Sequence, residues 1–157
     1  MKRTLVVLTM ILCGLILAGT SSALAPKKMK KMKKMAVTMA TEDLKWEEMK
    51  GGPPGIMYCN LWGDMMKGAY GAMVKLPANM QNPLHSHSSD TKAVVVAGSF
   101  YMTPEGGAEK VLGAGSYFME PGGVKHMSGT KDQGATLFQE GTSKFDMKMV
   151  EMPKEKK

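Results

Sequence analysis

The 157-residue chain predicts an all-β domain, a small barrel or sandwich. From Ile56 onward, short runs rich in Val, Tyr, Phe and Thr recur at even spacing. Gly, Pro, Asn and Asp separate these runs, and almost no stretch keeps the 3.6-residue period of an amphipathic helix. The three histidines of the chain, His85, His87 and His126, all stand close to these turns.

Element by element, Thr41 to Lys50 reads as a short helical turn, with Thr41 as N-cap and Glu42 and Asp43 favouring its positive end. Strands are expected at Ile56–Trp62, Ala69–Leu76, Lys92–Ala97, Ser99–Thr103, Lys110–Leu112, Ser116–Met119, Val124–Met127, Ala135–Gln139 and Phe145–Val150. Turns fall at Gly63-Asp64, Pro77-Ala78-Asn79, Pro104 to Gly107, Pro121-Gly122-Gly123 and Asp132-Gln133-Gly134. Lys92 to Ala97 is the most apolar strand and reads as the centre of the core. Met57, Met73, Met102, Met119 and Met127 alternate within strands and read as fillers of core gaps.

Before the domain, Lys2 and Arg3 precede 15 almost wholly apolar residues, Leu5 to Gly19, and then small residues ending in Ala23-Leu24-Ala25. This is the layout of a secretory signal, and the run is short of the roughly 20 residues a membrane span needs. Residues 1–25 are therefore expected to be a signal peptide, cut after Ala25 or after Ala23, and the protein to be exported to the periplasm or beyond. Residues 26–40 form a basic Met/Lys-rich arm, 41–152 the barrel domain and 153–157 a short tail. The six lysines from Lys27 to Lys34 hold much of the net charge of +7 and suit weak contact with anionic surfaces. The domain itself is nearly balanced, which argues against nucleic-acid binding. With Cys13 in the leader, Cys59 has no internal disulfide partner and reads as a buried small hydrophobe.

On an extended strand His85 and His87 project from one face. Imidazole is the commonest metal ligand, and three of them leave coordination positions open. The segments around these histidines resemble the two motifs of the cupin superfamily. Residues 79–98 are similar to G-x5-H-x-H-x3-4-E-x6-G, with His85, His87 and Gly98 in place, and residues 115–130 to G-x5-P-x-G-x2-H-x3-N, with Gly115, Pro121, Gly123 and His126 in place. Asn79 replaces the opening glycine, Thr130 the closing asparagine and Thr91 the usual glutamate ligand, with Asp90 just before it.

The resemblance implies a single cupin-type β-barrel, a double-stranded β-helix or jelly roll, and a homodimer. It implies one divalent metal (Fe, Zn, Cu, Ni or Mn) on His85, His87 and His126. Thr91 would face this site and Asp90 would face outward, because neighbours on a strand alternate. Met119 and Met127, flanking the second motif, are candidates to line a pocket. Three neutral ligands would leave the full charge on the ion and draw in an anionic or chelating molecule. The expected function is that of a metal-binding cupin, a dioxygenase acting on a small chelating oxygen-bearing substrate. The competing reading is a non-catalytic module that binds a small ligand or senses metal. An isomerase ranks last, because no carboxylate base is evident. The catalytic residues stay unassigned.

Overall fold

The computed structural model describes residues 35–150. The expected signal 1–25, most of the arm 26–40 and the tail 153–157 lie outside the described residues. In the unit that begins at Thr38, a 3-10 turn at Thr41–Asp43 is followed by nine strands. They are β1 Glu47–Glu48, β2 Met57–Gly63, β3 Tyr70–Leu76, β4 Gln81–Ser86, β5 Thr91–Pro104, β6 Lys110–Gly113, β7 Tyr117–Glu120, β8 His126–Gly141 and β9 Lys148–Met149. All pairings are antiparallel.

Two long strands organise the domain. The first half of β5 and the second half of β8 lie in a sheet ordered β1-β2-β3-β8-β5-β7. Their other halves lie in a sheet ordered β9-β4-β8-β5-β6. Inward side chains of both sheets, among them Tyr58, Tyr70, Val74, Val95 and Leu137 from the first and Phe100 and Leu112 from the second, form one core cluster. The fold is the expected all-β cupin-type jelly roll.

The sequence suggested four strands where the structure has these two. The breaks read at Gly98 and at Asp132-Gln133-Gly134 are bends inside continuous strands. Gly98 (φ 74°) and Gly134 (φ 65°) adopt the left-handed conformation that glycine enters without steric cost. They are nested: a Cβ on Gly98 would stand 2.2 Å from the Gly134 carbonyl oxygen. The register jumps from Gly98↔Ala135 to Phe100↔Thr130, so Lys131 to Gly134 bulge opposite Ser99.

Along β5, Thr91, Ala93 and Val95 are buried while Lys92, Val94 and Val96 face outward, so only half of the apolar strand is core. β4 was absent from the expected strands; it carries Pro83, which has no N–H for the ladder and falls where the β4–β8 pairing shifts register. The expected helix contracts to one turn. Ala40, not Thr41, is its N-cap residue, and the Asp43 carboxylate accepts the Ala40 N–H at 2.9 Å. Beyond it Glu47 and Glu48 pair with Tyr58 and Met57, long-range pairing that overrides local propensity. Phe145–Val150 yields only the two-residue β9. Cys59 is a buried free thiol on β2. Among the described residues the buried methionines are Met65 and Met80.

Gly98→Ala should therefore cost about 1–3 kcal/mol through backbone strain and the clash at Gly134. Urea unfolding should show a lower midpoint with an unchanged slope.

Candidate metal centre

Two cross-strand pairs build the site. His85 on β4 stands opposite His126 at the start of β8. Thr91 at the start of β5 stands opposite Glu120 at the end of β7. His87 follows β4 directly. The three rings lie 4.3 Å (His85–His126), 5.2 Å (His85–His87) and 5.3 Å (His87–His126) apart between centroids. One ring nitrogen from each falls within 4.8 Å of the others, and all three residues are buried.

Main-chain carbonyls orient the rings. His85 Nδ1 lies 2.6 Å from the Pro83 oxygen, His87 Nδ1 2.5 Å from that of Asp146, and His126 Nδ1 3.3 Å from that of Val124. A carbonyl only accepts, so each Nδ1 carries a proton, and in the neutral ring each Nε2 is left with its lone pair. That is the tautomer a metal requires, fixed by the partner on the opposite nitrogen.

The turns of the two motifs are laced together. The Gly123 N–H donates to the His87 carbonyl (2.8 Å), and the Gly122 N–H to Asp90 Oδ1 (2.9 Å). Asp90 is thus exposed and holds the Pro121–Gly123 turn, away from the histidines. Thr91 is buried on the site side. Thr130 donates its hydroxyl to the Pro77 carbonyl (2.5 Å) and accepts the Met80 N–H (3.0 Å), which fixes the entry to β4. Asn79 has φ 56°, the left-handed conformation asparagine tolerates. The Ser88 N–H and hydroxyl both donate to the Asp146 carboxylate, seating the carbonyl that orients His87. Phe145 packs on His87 at 5.1 Å.

Sequence reasoning missed Glu120. It is 6% exposed, with one oxygen 2.8 Å from His126 Nε2 and the other 3.2 Å from His87 Nε2. Its place comes from the pairing of β7 with β5, which no local signal in the sequence announces. Met119 and Met127 correct the expectation. They are 45% and 40% exposed, because each adjoins an inward residue (Glu120 or His126) and so points outward.

Beside His85, His87 and Glu120 lies a cavity of about 410 Å³. Val74, Leu137 and the stacked pair Phe100–Phe118 (5.1 Å) give it an apolar lining. Thr91, Gln139 and the hydrogen-bonded pair Asn82–Ser128 (3.1 Å) are its polar points. Its methionines are Met49, Met65, Met66, Met147 and Met149.

Burial pulls the His85 pKa below its ordinary value. It acts the same way on His87, but the Glu120 carboxylate and the Asp146 carbonyl outweigh it and raise that pKa. Burial would raise the Glu120 pKa, yet the adjacent His126 and His87 rings hold it down at about 2. The donor chemistry fits a cation: His126 Nε2 is buried without a hydrogen-bond partner despite its closeness to Glu120.

In metal-free protein this cluster has a defined pH signature. The lowered Glu120 pKa adds stability above its ordinary value of 4.5, lost as pH falls toward 2. The raised His87 pKa adds stability below its ordinary 6.5, lost as pH rises through the folded-state value. With chelator present, Glu120→Gln should be most destabilising between about pH 4.5 and 6.5, and the gap should shrink near pH 2–3 in urea titrations.

Solved structures share this architecture. The polyketide cyclase RemF from Streptomyces resistomycificus superposes with a TM-score of 0.62 at 17% identity, over 76% of this chain and 89% of that one. An RmlC-like cupin protein from Ralstonia eutropha JMP134 gives 0.58 at 20%, over 72% of each. KdgF from Halomonas sp. gives 0.54 at 18%, over 69% of this chain and 94% of that one. At such identities the likeness establishes the fold. The search of curated proteins returned no match. Residues 19–148 match the family described as "Domain of unknown function (DUF4437)", and the chain belongs to that family.

Proposed function

We propose that the protein is a metal-dependent enzyme of the dioxygenase class, acting on a small chelating oxygen-bearing molecule. One observation carries this reading: three buried imidazoles, each tied through Nδ1 to a carbonyl, cluster within metal-binding distance of one another, and two of them, His85 and His87, line an apolar cavity. His85, His87 and His126 would hold the ion, which when bound supplies a Lewis acid able to polarise substrate oxygen. The chain supplies the rest. Phe100 and Phe118 offer a flat apolar surface. Gln139, Asn82 and Ser128 are placed to orient polar atoms of the substrate. Phe145 covers His87 and limits water at that ring. The cavity volume lies within the range of small-molecule sites. Export through residues 1–25 is part of the same proposal.

Glu120 supports a second reading, isomerisation by proton transfer, since an ionised carboxylate stands at the cavity wall. The polyketide cyclase among the similar structures is an instance of this fold serving an enzyme, by analogy alone.

Untagged protein should carry about one metal ion per chain by mass spectrometry. Loaded with Fe(II), it should consume oxygen in the presence of a diketone or a catechol. Turnover without oxygen uptake would favour the second reading, and metal binding without turnover a binding module. Metal at a hundredfold excess over Kd should stabilise wild type by about 2.7 kcal/mol, several degrees in Tm. In His87→Ala that rise should be lost, as read by thermal unfolding with and without metal.

A further inference from the structure

We infer that Glu120 is the fourth protein ligand of the metal, so that the carboxylate usually found at the Thr91 position reaches the ion from the neighbouring strand. The inference rests on the metal reading above and adds a ligand to it. The register supplies the first argument. Thr91 and Glu120 are direct partners across the β5–β7 ladder. Side chains of such a pair leave the same face of the sheet about 5 Å apart. A carboxylate moved from one to the other therefore stays within a side-chain length of the same point.

The lone pairs supply the second. With Nδ1 of both rings donating to carbonyls, Nε2 of His87 and of His126 each present a lone pair to a Glu120 oxygen. With neutral rings, two acceptors face each other at 2.8 Å and 3.2 Å. That contact is favourable only with a proton or a metal ion between them, and a metal ion would serve both at once. His126 Nε2 has no other partner and is buried.

Spacing agrees. Ligands about 2.1 Å from one ion stand about 3.0–3.4 Å apart, according to the angle between them. The separations of 2.8 Å and 3.2 Å, one to each Glu120 oxygen, are close to this range. The Glu120 side chain is 6% exposed and borders the cavity, so it has no solvent shell to compensate its charge. As a ligand it would offset one unit of the ion's charge, which three histidines alone leave intact. It would also no longer be the free base the isomerase reading needs.

The test is zinc affinity of the full chain, measured by competition with a chromophoric chelator at neutral pH. Wild type, Glu120→Gln, Glu120→Asp, Thr91→Glu/Glu120→Gln and His87→Ala are compared, each checked for folding by circular dichroism. A ligand is worth more than the 10–100-fold typical of groups that only orient ligands. Glu120→Gln should weaken binding at least about 100-fold, with Glu120→Asp between it and wild type. The double variant, with its carboxylate moved back across the ladder, should recover at least about tenfold over Glu120→Gln. Should Glu120→Gln fail to fold, the Asp variant and the double variant carry the comparison. Wild-type affinity in both Glu120 variants, with affinity lost in His87→Ala, would overturn the ligand role and leave the histidine site standing. Wild-type affinity in His87→Ala as well would overturn the metal reading itself.

Discussion

The joint bend of β5 and β8 is the constraint on which the rest of this structure depends. Each strand must leave one sheet and enter the other without losing its partner, and the two bend together where Gly98 lies against Gly134. Only backbone without a Cβ allows that approach, since any side chain at Gly98 would meet a carbonyl oxygen. The bend lets one continuous β8 pair with β3 and β5 at one end and with β4 and β5 at the other. The second pairing sets His126 across from His85, and the start of β5 sets Thr91 across from Glu120. The geometry of the histidine cluster is thus a consequence of strand register, with His87 added by the turn after β4.

A polar cluster inside an apolar barrel must satisfy its donors and acceptors or destabilise the fold. Here the outer nitrogens are satisfied by main-chain carbonyls of Pro83, Val124 and Asp146. Two of these belong to the residue two positions before the histidine they orient, so the local strand path sets each ring. The third comes from the segment between β8 and β9, where Ser88 and Asp146 clasp. His87 is therefore held by a long-range contact, while His85 and His126 are held locally. The inner nitrogens and Glu120 are left facing one another, an arrangement that is stable only with protons or a cation among them.

The methionines follow a different logic from the one their strand positions suggested. Met119 and Met127 point outward, while the cavity and its surroundings take Met49, Met65, Met66, Met147 and Met149. Four of these five come from loops and the fifth, Met149, ends the two-residue β9, so no period-2 pattern applies. An unbranched thioether fills irregular space and adapts to ligands of different shape, which suits an apolar cavity.

By itself the sequence determined the all-β class, the positions of most turns and the three histidines, because these are local properties. Strand alternation, turn chemistry and fixed spacings survive without knowledge of partners. The inward placement of Thr91 and the left-handed Asn79 were legible in the same way. The Gly98 and Gly134 breaks looked like strand ends, because a glycine bend and a turn share the same local signal. Glu120 was not legible, since nothing in a linear chain tells which strand will lie beside Thr91. Tertiary structure decided that through long-range register: pairing β7 with β5 brings a buried carboxylate to the two histidines across the barrel wall.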